Sequence, residues 1–417
     1  MITIESRKIE HAVVRVPGSK SYTHRLLIGC ALASGKSTLA DPLVSEDTRL
    51  TARALGQMGA RIQFADDKAR VTGTGGRLQP ADDPIFLKNS GTSMRLLTAL
   101  AGLGRTPYRL TGSPRMHQRP IGPLLDSLNQ IGVAARSEND NGCPPVLVDG
   151  INGQGGAAAI DCSISSQFLS GLLLMAPCLS RGLDISVTRG PVSKPYLDLT
   201  LDIMSRLGVG VEREGYERFT VAGGQAYLAG DYPVEPDCSG ASYFWAAAAV
   251  NGGSVTVRNI PANTRQGDVG IVDLLARMGC RVTSGAEGVT VTGGELNAIQ
   301  CDMGDMPDMV PTLAVVAAFA RGTTEIRNVA HLKAKETDRL AAVSAELGRM
   351  GVAVSATGDT LRVTGGKAHG AEIETYDDHR IAMAFAVAGL KVPGVAIKDP
   401  HCVAKSFPDF WDLFRDL

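Results

Sequence analysis

Several short stretches of the sequence place small hydroxyl residues and cations where a helix is predicted to begin. In PGSKSYTHR, a strand ending at Val16 and a Pro-Gly turn precede Lys20, Ser21 and Arg25. The free amides and the dipole of a helix N-terminus favour an anion, and Ser21 and Arg25 lie four residues apart, on one face. A single Ser at a helix start is usually only an N-cap, so this stretch indicates a site only if it has partners elsewhere.

Further polar helix starts and further charged stretches occur along the chain. Three more predicted helix starts carry clustered polar residues, in NSGTSMRLL from Asn89, SSQFLSGLL from Ser165 and DCSGASYF from Asp237. Four further stretches supply charges: TGSPRMHQRPIG with Arg115 and Arg119, KAKETDRL with Lys335, Glu336 and Arg339, YDDHRIAMAF with Asp378, His379 and Arg380, and HCVAKSFP with Lys405 in a predicted loop. Arginine pairs well with phosphate and carboxylate. So many cations in one cleft predict substrates with several negative charges.

A second Gly-Lys-Ser stretch, ASGKST, imitates a nucleotide-binding loop. The Walker A pattern requires a glycine at the position that Cys30 occupies. The helix predicted before Gly35 and the strand predicted after it also reverse the required order of strand, loop and helix. We therefore interpret Gly35 as a helix C-cap and do not favour a nucleotide-dependent kinase.

Length and composition define the class of protein. The chain has 417 residues, of which 44 % are hydrophobic and 20 % charged, with a net charge of −1. These values predict two domains, or several smaller units, of a soluble enzyme with no general affinity for nucleic acid or membrane. The first residues lack the apolar core of a signal peptide, so we expect a cytoplasmic protein. The eight cysteines have no metal-ligand spacing, and we expect reduced, buried thiols and no metal.

One signature recurs five times: the end of an amphipathic helix, a glycine, and an alternating strand. Its glycines are separated by 73, 76, 71 and 72 residues and are Gly59, Gly132, Gly208, Gly279 and Gly351. We expect a sixth unit in which the closing FPDFWDLFRDL supplies the helix and MITIESRKI and HAVVRVPG supply the missing strands. The chain would then have mixed α/β sheets, with residues 1–17 and 236–417 in one domain and residues 18–235 in the other. A non-catalytic repeat scaffold is the alternative, but it would not need clustered polar residues at the ends of its units.

These stretches, together with VSKPYLDLTL, QGD and AKSFPDF, resemble the 5-enolpyruvylshikimate-3-phosphate synthase family in order along essentially the whole chain. The resemblance implies a two-domain inside-out α/β barrel, with three repeated β/α units per domain about a pseudo-threefold axis. It implies an active site in the interdomain cleft that transfers the enolpyruvyl group of phosphoenolpyruvate to 3-phosphoshikimate. It further implies small-molecule substrates, no cofactor and a monomer.

The resemblance also assigns residues, position by position. The catalytic residues would be Asp308, Glu336 and Lys20, with Asp308 expected to accept the proton of the 5-hydroxyl group. The 3-phosphoshikimate site would comprise Lys20, Ser21, Arg25, Ser165, Ser166, Gln167, Ser193, Asp308 and Lys335, with Tyr196 lining it. The phosphoenolpyruvate site would comprise Lys20, Gly91, Arg119, Gln167, Arg339, Arg380 and Lys405. His331 replaces an Asn that many members have and is left out, and His379 is either a supporting residue or a packed one.

The related UDP-N-acetylglucosamine enolpyruvyl transferases share the fold and the donor. They typically carry a cysteine in the loop that corresponds to GSPRMHQRPIG, where this sequence has Pro114. The resemblance therefore favours 3-phosphoshikimate as the acceptor.

Overall fold

The computed structural model describes residues 1–417, in which helices alternate with short strands. The helices are α1 (Lys20–Leu32), α2 (Glu46–Gln57), α3 (Gly91–Ala101), α4 (Gly122–Gln130), α5 (Gln167–Met175), α6 (Pro195–Arg206), α7 (Cys238–Asn251), α8 (Ile271–Met278), α9 (Val310–Ala317), α10 (Arg339–Arg349), α11 (His379–Gly389) and α12 (Phe410–Arg415). No helix among them has the length and apolar character needed to cross a membrane.

Most strands have three to seven residues. They are β1 (Ile2–Thr3), β2 (His11–Val14), β3 (Lys36–Ala40), β4 (Arg61–Ala65), β5 (Lys68–Thr72), β6 (Ile85–Phe86), β7 (Tyr108–Thr111), β8 (Ala134–Ser137), β9 (Val146–Asp149), β10 (Gly156–Asp161), β11 (Leu183–Arg189), β12 (Glu212–Glu214), β13 (Arg218–Val221), β14 (Asp231–Pro233), β15 (Ser254–Arg258), β16 (Arg281–Gly285), β17 (Gly288–Thr292), β18 (Gln300–Asp302), β19 (Thr323–Arg327), β20 (Ala353–Thr357), β21 (Thr360–Thr364), β22 (Glu372–Ile373) and β23 (Ala396–Ile397).

The strands form six mixed sheets with one shared pattern. Five sheets have four strands, ordered β14-β3-β5-β4, β6-β7-β9-β8, β10-β11-β13-β12, β2-β15-β17-β16 and β18-β19-β21-β20. In each of them the first pair is parallel and the next two pairs are antiparallel. The sixth sheet, β22-β23-β1, keeps the same pattern over three strands. The prediction of five similar units and a split sixth unit is confirmed.

The signature glycines have the backbone conformation that the sequence predicted. Gly59, Gly132, Gly208, Gly279 and Gly351 all have φ between 76° and 115°. Glycine adopts this left-handed conformation without the steric cost that a Cβ atom imposes. Each therefore ends a helix of the outer set α2, α4, α6, α8 and α10 and turns the chain into the next strand.

The composition of the sixth unit was predicted only in part. Ile2 of β1 pairs with Ile397 of β23, and α12 follows in the same region, where Phe410 packs against Phe244. The expectation that HAVVRVPG also belongs there is wrong. His11 of β2 pairs in parallel with Ser254 of β15, in a different sheet. Strand β2 occupies the edge of β15 opposite β17, because this pairing buries the Val14 side of β2.

The chain divides into two compact units. The terminal unit comprises Met1–Ser19 and Glu235–Leu417, and the central unit comprises Lys20–Val234. Each unit has three sheets around three inner helices: α1, α3 and α5 in the central unit, and α7, α9 and α11 in the terminal unit. Nearly every residue of these helices is buried. A helix that is apolar on all sides is suited to such an interior. The polar residues in the first turns of these helices are the exception to this apolar character.

Candidate functional site

The predicted site residues of the central unit gather at the starts of its inner helices. Lys20, Ser21 and Arg25 lie on α1, Gly91 is the first residue of α3, and Gln167 is the first residue of α5, preceded by Ser165 and Ser166. Arg119 follows a 3₁₀ turn at Met116–Gln118, and Ser193 lies two residues before α6. The helix predicted before Gly35 is α1, which ends at Leu32, and Gly35, with φ 113°, lies directly before β3.

Arg25 is almost completely buried, with an exposed fraction of 1 %. Its guanidinium donates to Thr200 Oγ1 at 2.7 Å, to the Ser21 carbonyl at 3.1 Å and to Ser170 Oγ and the Tyr196 carbonyl at 3.3 Å each. Burial lowers the pKa of Arg25 to about 10, so the group still carries its charge at pH 7. The side chain fixes Ser21 and Tyr196 against one another and adds positive potential near both.

Lys20 has a partner that the sequence analysis missed. Its ammonium donates to Asp47 Oδ2 at 3.3 Å, and the Asp47 side chain is 2 % exposed. Asp47 lies in the first turn of α2, two residues after the N-cap Ser45. The sequence signal for it was an acidic first turn in SEDTRL, which is common to many helices, so only the contact with Lys20 distinguishes this carboxylate.

A second group in the central unit surrounds Gly91. Arg119 donates to the carbonyl and the side-chain oxygen of Asn89, at 2.9 and 3.1 Å. Arg95 donates to Gln167 Oε1 at 3.0 Å. A Cβ atom on Gly91 would lie 2.4 Å from Arg119 Nη2 and 2.8 Å from Arg95 Nη1. Two buried guanidinium groups therefore lie directly over the first turn of α3, and only a residue without a side chain leaves them room.

The serine residues predicted for the same unit are also brought together. Ser166 Oγ donates to the Ser193 carbonyl at 3.4 Å, and Ser165 Oγ accepts from the Gln167 amide at 3.2 Å. Ser193 has a left-handed backbone, with φ 57°. The starts of α5 and α6 are thus joined through residues for which the family resemblance implies one common ligand.

The terminal unit holds the remaining predicted residues at the starts of its helices. Asp308 lies in a 3₁₀ turn at Pro307–Met309 before α9, Lys335 and Glu336 lie between a 3₁₀ turn at Ala330–Ala334 and α10, and Arg339 and Arg380 are in the first turns of α10 and α11. The expectation that Lys405 lies in a loop is wrong, because Lys405 is the last residue of a 3₁₀ helix, Pro400–Lys405. Pro400 fixes the first turn of that helix, and its Lys405 is buried.

Arg339 connects three carboxylates. It donates to Asp378 at 2.7 and 3.2 Å, to Asp308 Oδ1 at 2.8 Å and to Glu336 Oε2 at 2.8 Å. Burial alone would lower the pKa of Arg339, but the carboxylates of Asp378, Glu336 and Asp308 outweigh burial and raise it. Arg339 is therefore a permanent cation whose guanidinium orientation is fixed on three sides.

Asp308 lies between two arginines. Arg380 Nη2 donates to its second oxygen at 2.6 Å, opposite the contact from Arg339. Burial alone would raise the pKa of Asp308, but Arg380, Lys335 and Arg339 hold it well below its usual range. Asp308 is thus an ionised carboxylate at neutral pH, able to accept hydrogen bonds and, when its cations are offset by anions, a proton.

Two other buried groups nearby have shifted pKa values. Burial, with the charge of Asp308, raises the pKa of Asp268 to about 6, and Ser239 Oγ donates to its carboxylate. Burial and the cation Lys335 lower the pKa of His331 to about 4. His331 is therefore a neutral imidazole at pH 7. His379 is fully buried at the start of α11.

In the sequence, Asp378 stands out only as part of a predicted helix start. The structure shows that it caps α11, accepting from the Arg380 amide at 2.9 Å, while both of its oxygens accept from Arg339. The acid-acid-His-Arg order of YDDHR was the available signal. An N-cap role explains that pattern equally well, so the link to Arg339 required the tertiary structure.

Comparisons with known proteins agree with this arrangement of motifs. Residues 5–414 match the family model described as EPSP synthase (3-phosphoshikimate 1-carboxyvinyltransferase). The chain is 45 % identical over 418 residues to a 3-phosphoshikimate 1-carboxyvinyltransferase of Syntrophobacter fumaroxidans, covering 100 % of this chain and 99 % of that protein. It is 46 % identical to a protein of the same name from Methanoculleus marisnigri, covering 96 % and 95 %.

Solved structures give the same result for the fold. The EPSP synthase of Acinetobacter baumannii matches with a TM-score of 0.82 and 28 % identity, over 100 % of this chain and 97 % of that chain. The enolpyruvyl transferase NikO of Streptomyces tendae has a TM-score of 0.77 at 21 % identity, over 100 % and 97 %. The second likeness bears on the fold alone.

Proposed function

The chain belongs to the EPSP synthase family, and on that premise we propose that it transfers the carboxyvinyl group of phosphoenolpyruvate to the 5-hydroxyl of 3-phosphoshikimate. The products are 5-enolpyruvylshikimate 3-phosphate and phosphate, on the route to chorismate and the aromatic amino acids. The chain has the two-domain inside-out α/β fold of this family. The observation that carries the proposal is the contact of Asp308 with both Arg339 and Arg380, which combines an ionised base with two cations for an anionic donor.

The reaction is an addition followed by an elimination. The 5-hydroxyl oxygen bonds to carbon 2 of phosphoenolpyruvate as its proton leaves and as carbon 3 gains a proton. Carbon 3 then loses a proton, the bond from carbon 2 to the phosphate oxygen breaks, and phosphate leaves. Each half needs a proton acceptor and a proton donor beside several negative charges.

The phosphoenolpyruvate side is formed by cations from both units. We assign to it Lys20, Gly91, Arg119, Gln167, Arg339, Arg380 and Lys405. Arginine forks suit the donor's carboxylate and phosphate. The absence of a side chain at Gly91 lets the guanidinium groups of Arg119 and Arg95 lie directly over the first turn of α3, which supports binding of an anionic donor beside that turn.

The 3-phosphoshikimate side is formed by hydroxyls and cations. We assign to it Lys20, Ser21, Arg25, Ser165, Ser166, Gln167, Ser193, Asp308 and Lys335, with Tyr196 beside them. The links from Arg25 to Ser21 and Tyr196, and from Ser166 to Ser193, support a common ligand for these residues. Serine hydroxyls at helix starts both donate and accept, as a phosphorylated polyol requires.

Asp308, Glu336 and Lys20 carry the proton transfers. Asp308 is ionised when the site is empty and is held so by cations. Binding of two anionic substrates offsets those cations, which raises the pKa of Asp308 and makes it a stronger base for the 5-hydroxyl proton. Glu336, held by Arg339 at 2.8 Å, and Lys20 serve as the other proton carrier and as a cation for the intermediate.

This assignment draws on residues of both units, so we place the two substrates in the cleft between two domains, with residues 1–17 and 236–417 in one and 18–235 in the other. One copy of the chain supplies every assigned residue, so the proposed chemistry requires no second copy, and we propose that the enzyme is a monomer. It needs no cofactor and works in the cytoplasm.

The test is release of phosphate from phosphoenolpyruvate by the purified chain. We expect release with 3-phosphoshikimate, none with UDP-N-acetylglucosamine, and no change when EDTA is added. Release only with the nucleotide sugar would overturn the acceptor, and activity lost to EDTA and restored by magnesium would overturn the metal-free mechanism.

A further inference from the structure

A tight turn immediately before α11 has an unfavourable sequence for its conformation. Tyr376 and Asp377 are both left-handed, with φ of 56° and 54°. The Asp378 amide donates to the Thr375 carbonyl at 2.8 Å and closes the turn. Two successive positive φ values are typical of a type I′ turn, whose central positions favour Asn, Asp and Gly, so Tyr376 is the unusual residue. Tyrosine adopts this conformation only where the surrounding structure holds it.

A buried carboxylate on α10 holds both sides of this turn. Glu346 has an exposed fraction of 0 %. Its Oε1 accepts from the Tyr376 hydroxyl at 2.6 Å, and its Oε2 accepts from the Glu374 amide at 3.1 Å. Partial burial and the hydrogen bond to Glu346 raise the pKa of Tyr376 to about 12, so the hydroxyl remains a donor. Charge-assisted hydrogen bonds of this kind are the strong ones.

The turn leads directly to the partner of Arg339. Asp378 follows Asp377, and its carboxylate accepts from Arg339 at 2.7 Å and 3.2 Å. Arg339 and Glu346 lie seven residues apart on α10, and therefore on one face of the helix. Helix α10 thus contacts the segment 374–378 at two points. Glu346 holds the strained turn, and Arg339, the arginine assigned to phosphoenolpyruvate, binds Asp378.

We propose that Glu346 and Tyr376 are positioning residues that hold the left-handed turn and thereby fix Asp378 and Arg339 for binding of phosphoenolpyruvate. This inference rests on the proposed function, because that function assigns Arg339 and Arg380 to the donor. Neither Glu346 nor Tyr376 is a catalytic residue in this proposal. Their effect reaches the donor only through the backbone of the turn.

The first variant is Tyr376→Phe, which removes the hydroxyl and keeps the ring. A hydrogen bond to a charged group sets the upper limit of the effect, and we expect KM for phosphoenolpyruvate to rise about five- to tenfold. We expect kcat and KM for 3-phosphoshikimate to stay within about twofold. Tyr216→Phe is the matched control, because the Tyr216 hydroxyl also donates to a carboxylate, Asp198 Oδ2, at 2.6 Å. It should leave all three constants unchanged.

The second variant tests the mechanism by rescue. In Tyr376→Phe combined with Asp377→Gly, the turn gains a residue that adopts the left-handed conformation freely. We expect KM for phosphoenolpyruvate to return to within about twofold of the wild-type value. A direct contact of the Tyr376 hydroxyl with substrate, or a purely stabilising role, predicts no rescue. Failure of the rescue, or an unchanged KM in Tyr376→Phe, would overturn the proposal.

A readout that does not depend on catalysis separates this inference from the proposed function. Amide hydrogen exchange at Asp378 and Arg380 should be faster in Tyr376→Phe than in wild type and should slow again in the double variant. Unchanged exchange in Tyr376→Phe would overturn the proposal that the Tyr376 hydroxyl and Glu346 hold the turn. A wild-type enzyme that releases no phosphate would instead overturn the proposed function, whatever the exchange rates.

Discussion

Arg339 Nε donates to Asp378 Oδ2 at 2.7 Å, and neither side chain is more than 1 % exposed. A buried pair of this kind gains strength from the low local dielectric, but loss of one partner leaves an uncompensated charge. Asp308 and Glu336 are also bonded to Arg339. The guanidinium is therefore held in one orientation by groups from three elements before any substrate arrives.

Replacing Asp378 tests how much this orientation matters. In Asp378→Asn, Arg339 loses its fully buried counter-charge, and we expect the free energy of unfolding to fall by about 3 kcal/mol, the lower end for a broken buried pair. KM for phosphoenolpyruvate should rise as well. Asp184→Asn is the control, because the pair of Asp184 with Arg218 is exposed at the surface and such pairs contribute about 1 kcal/mol or less. Equal losses in the two variants, measured by denaturant unfolding, would contradict this view.

Lys20 is expected to contribute to turnover. Lys20→Ala removes charge-assisted hydrogen bonds that contribute about 1.5–3 kcal/mol each, so kcat/KM should fall at least ten- to hundredfold. Lys36→Ala, at an exposed position where β3 begins, is the control and should keep wild-type activity. The measurement is phosphate release at varied concentrations of both substrates. An unchanged kcat/KM in Lys20→Ala would refute the assigned role.

Gly91 is expected to tolerate no side chain. The added Cβ of Gly91→Ala would lie 2.4 Å from Arg119 Nη2, so the guanidinium must move. A methyl group in a tight pocket changes binding by about 1–3 kcal/mol, and KM for phosphoenolpyruvate should rise about tenfold or more, with KM for 3-phosphoshikimate little changed. Gly56→Ala, on α2 with no atom within 4 Å of the new Cβ, should leave kinetics unchanged and stabilise the helix slightly. Parallel effects of the two substitutions would argue against crowding.

His331 is expected to make the protein sensitive to mild acid. Its pKa is lowered to about 4 in the folded chain, whereas an unfolded His titrates at about 6.5. Between these values the unfolded state binds the extra proton, so stability falls as the pH drops from about 6.5 towards 4, by about 1.4 kcal/mol per pH unit. Asp268, with its raised pKa of about 6, acts in the opposite direction and is unaffected by the substitution.

The variant His331→Asn should therefore lose less thermal stability than wild type between pH 7 and pH 5. His401→Asn, at an exposed position, should retain the wild-type dependence. Melting temperatures of the three proteins across this range are the measurement. Identical slopes for His331→Asn and wild type would show that burial of this imidazole costs nothing.

The local features of the fold were predictable because they depend on neighbours in sequence. The recurring glycines from Gly59 to Gly351 indicated the repeats. In each repeat a helix end, a glycine with positive φ and an alternating strand lie within about ten residues of one another. The order of strand, turn and helix around Lys20 likewise separated PGSKSYTHR from ASGKST. The residues of each motif and the helix starts that carry them were determined by the sequence alone.

The pairing of distant elements was decided only by the tertiary structure. β2 precedes α1 but pairs with β15, and β14 precedes α7 but pairs with β3, because a strand joins the sheet that buries its apolar face, at whatever distance along the chain. The same holds for the contacts of Arg339 with Asp308 and Asp378, and of Glu346 with Tyr376. These contacts join residues from 30 to 39 positions apart, and no periodicity of helix or strand extends over such separations. The sequence thus determined which groups are present, and packing decided which of them meet.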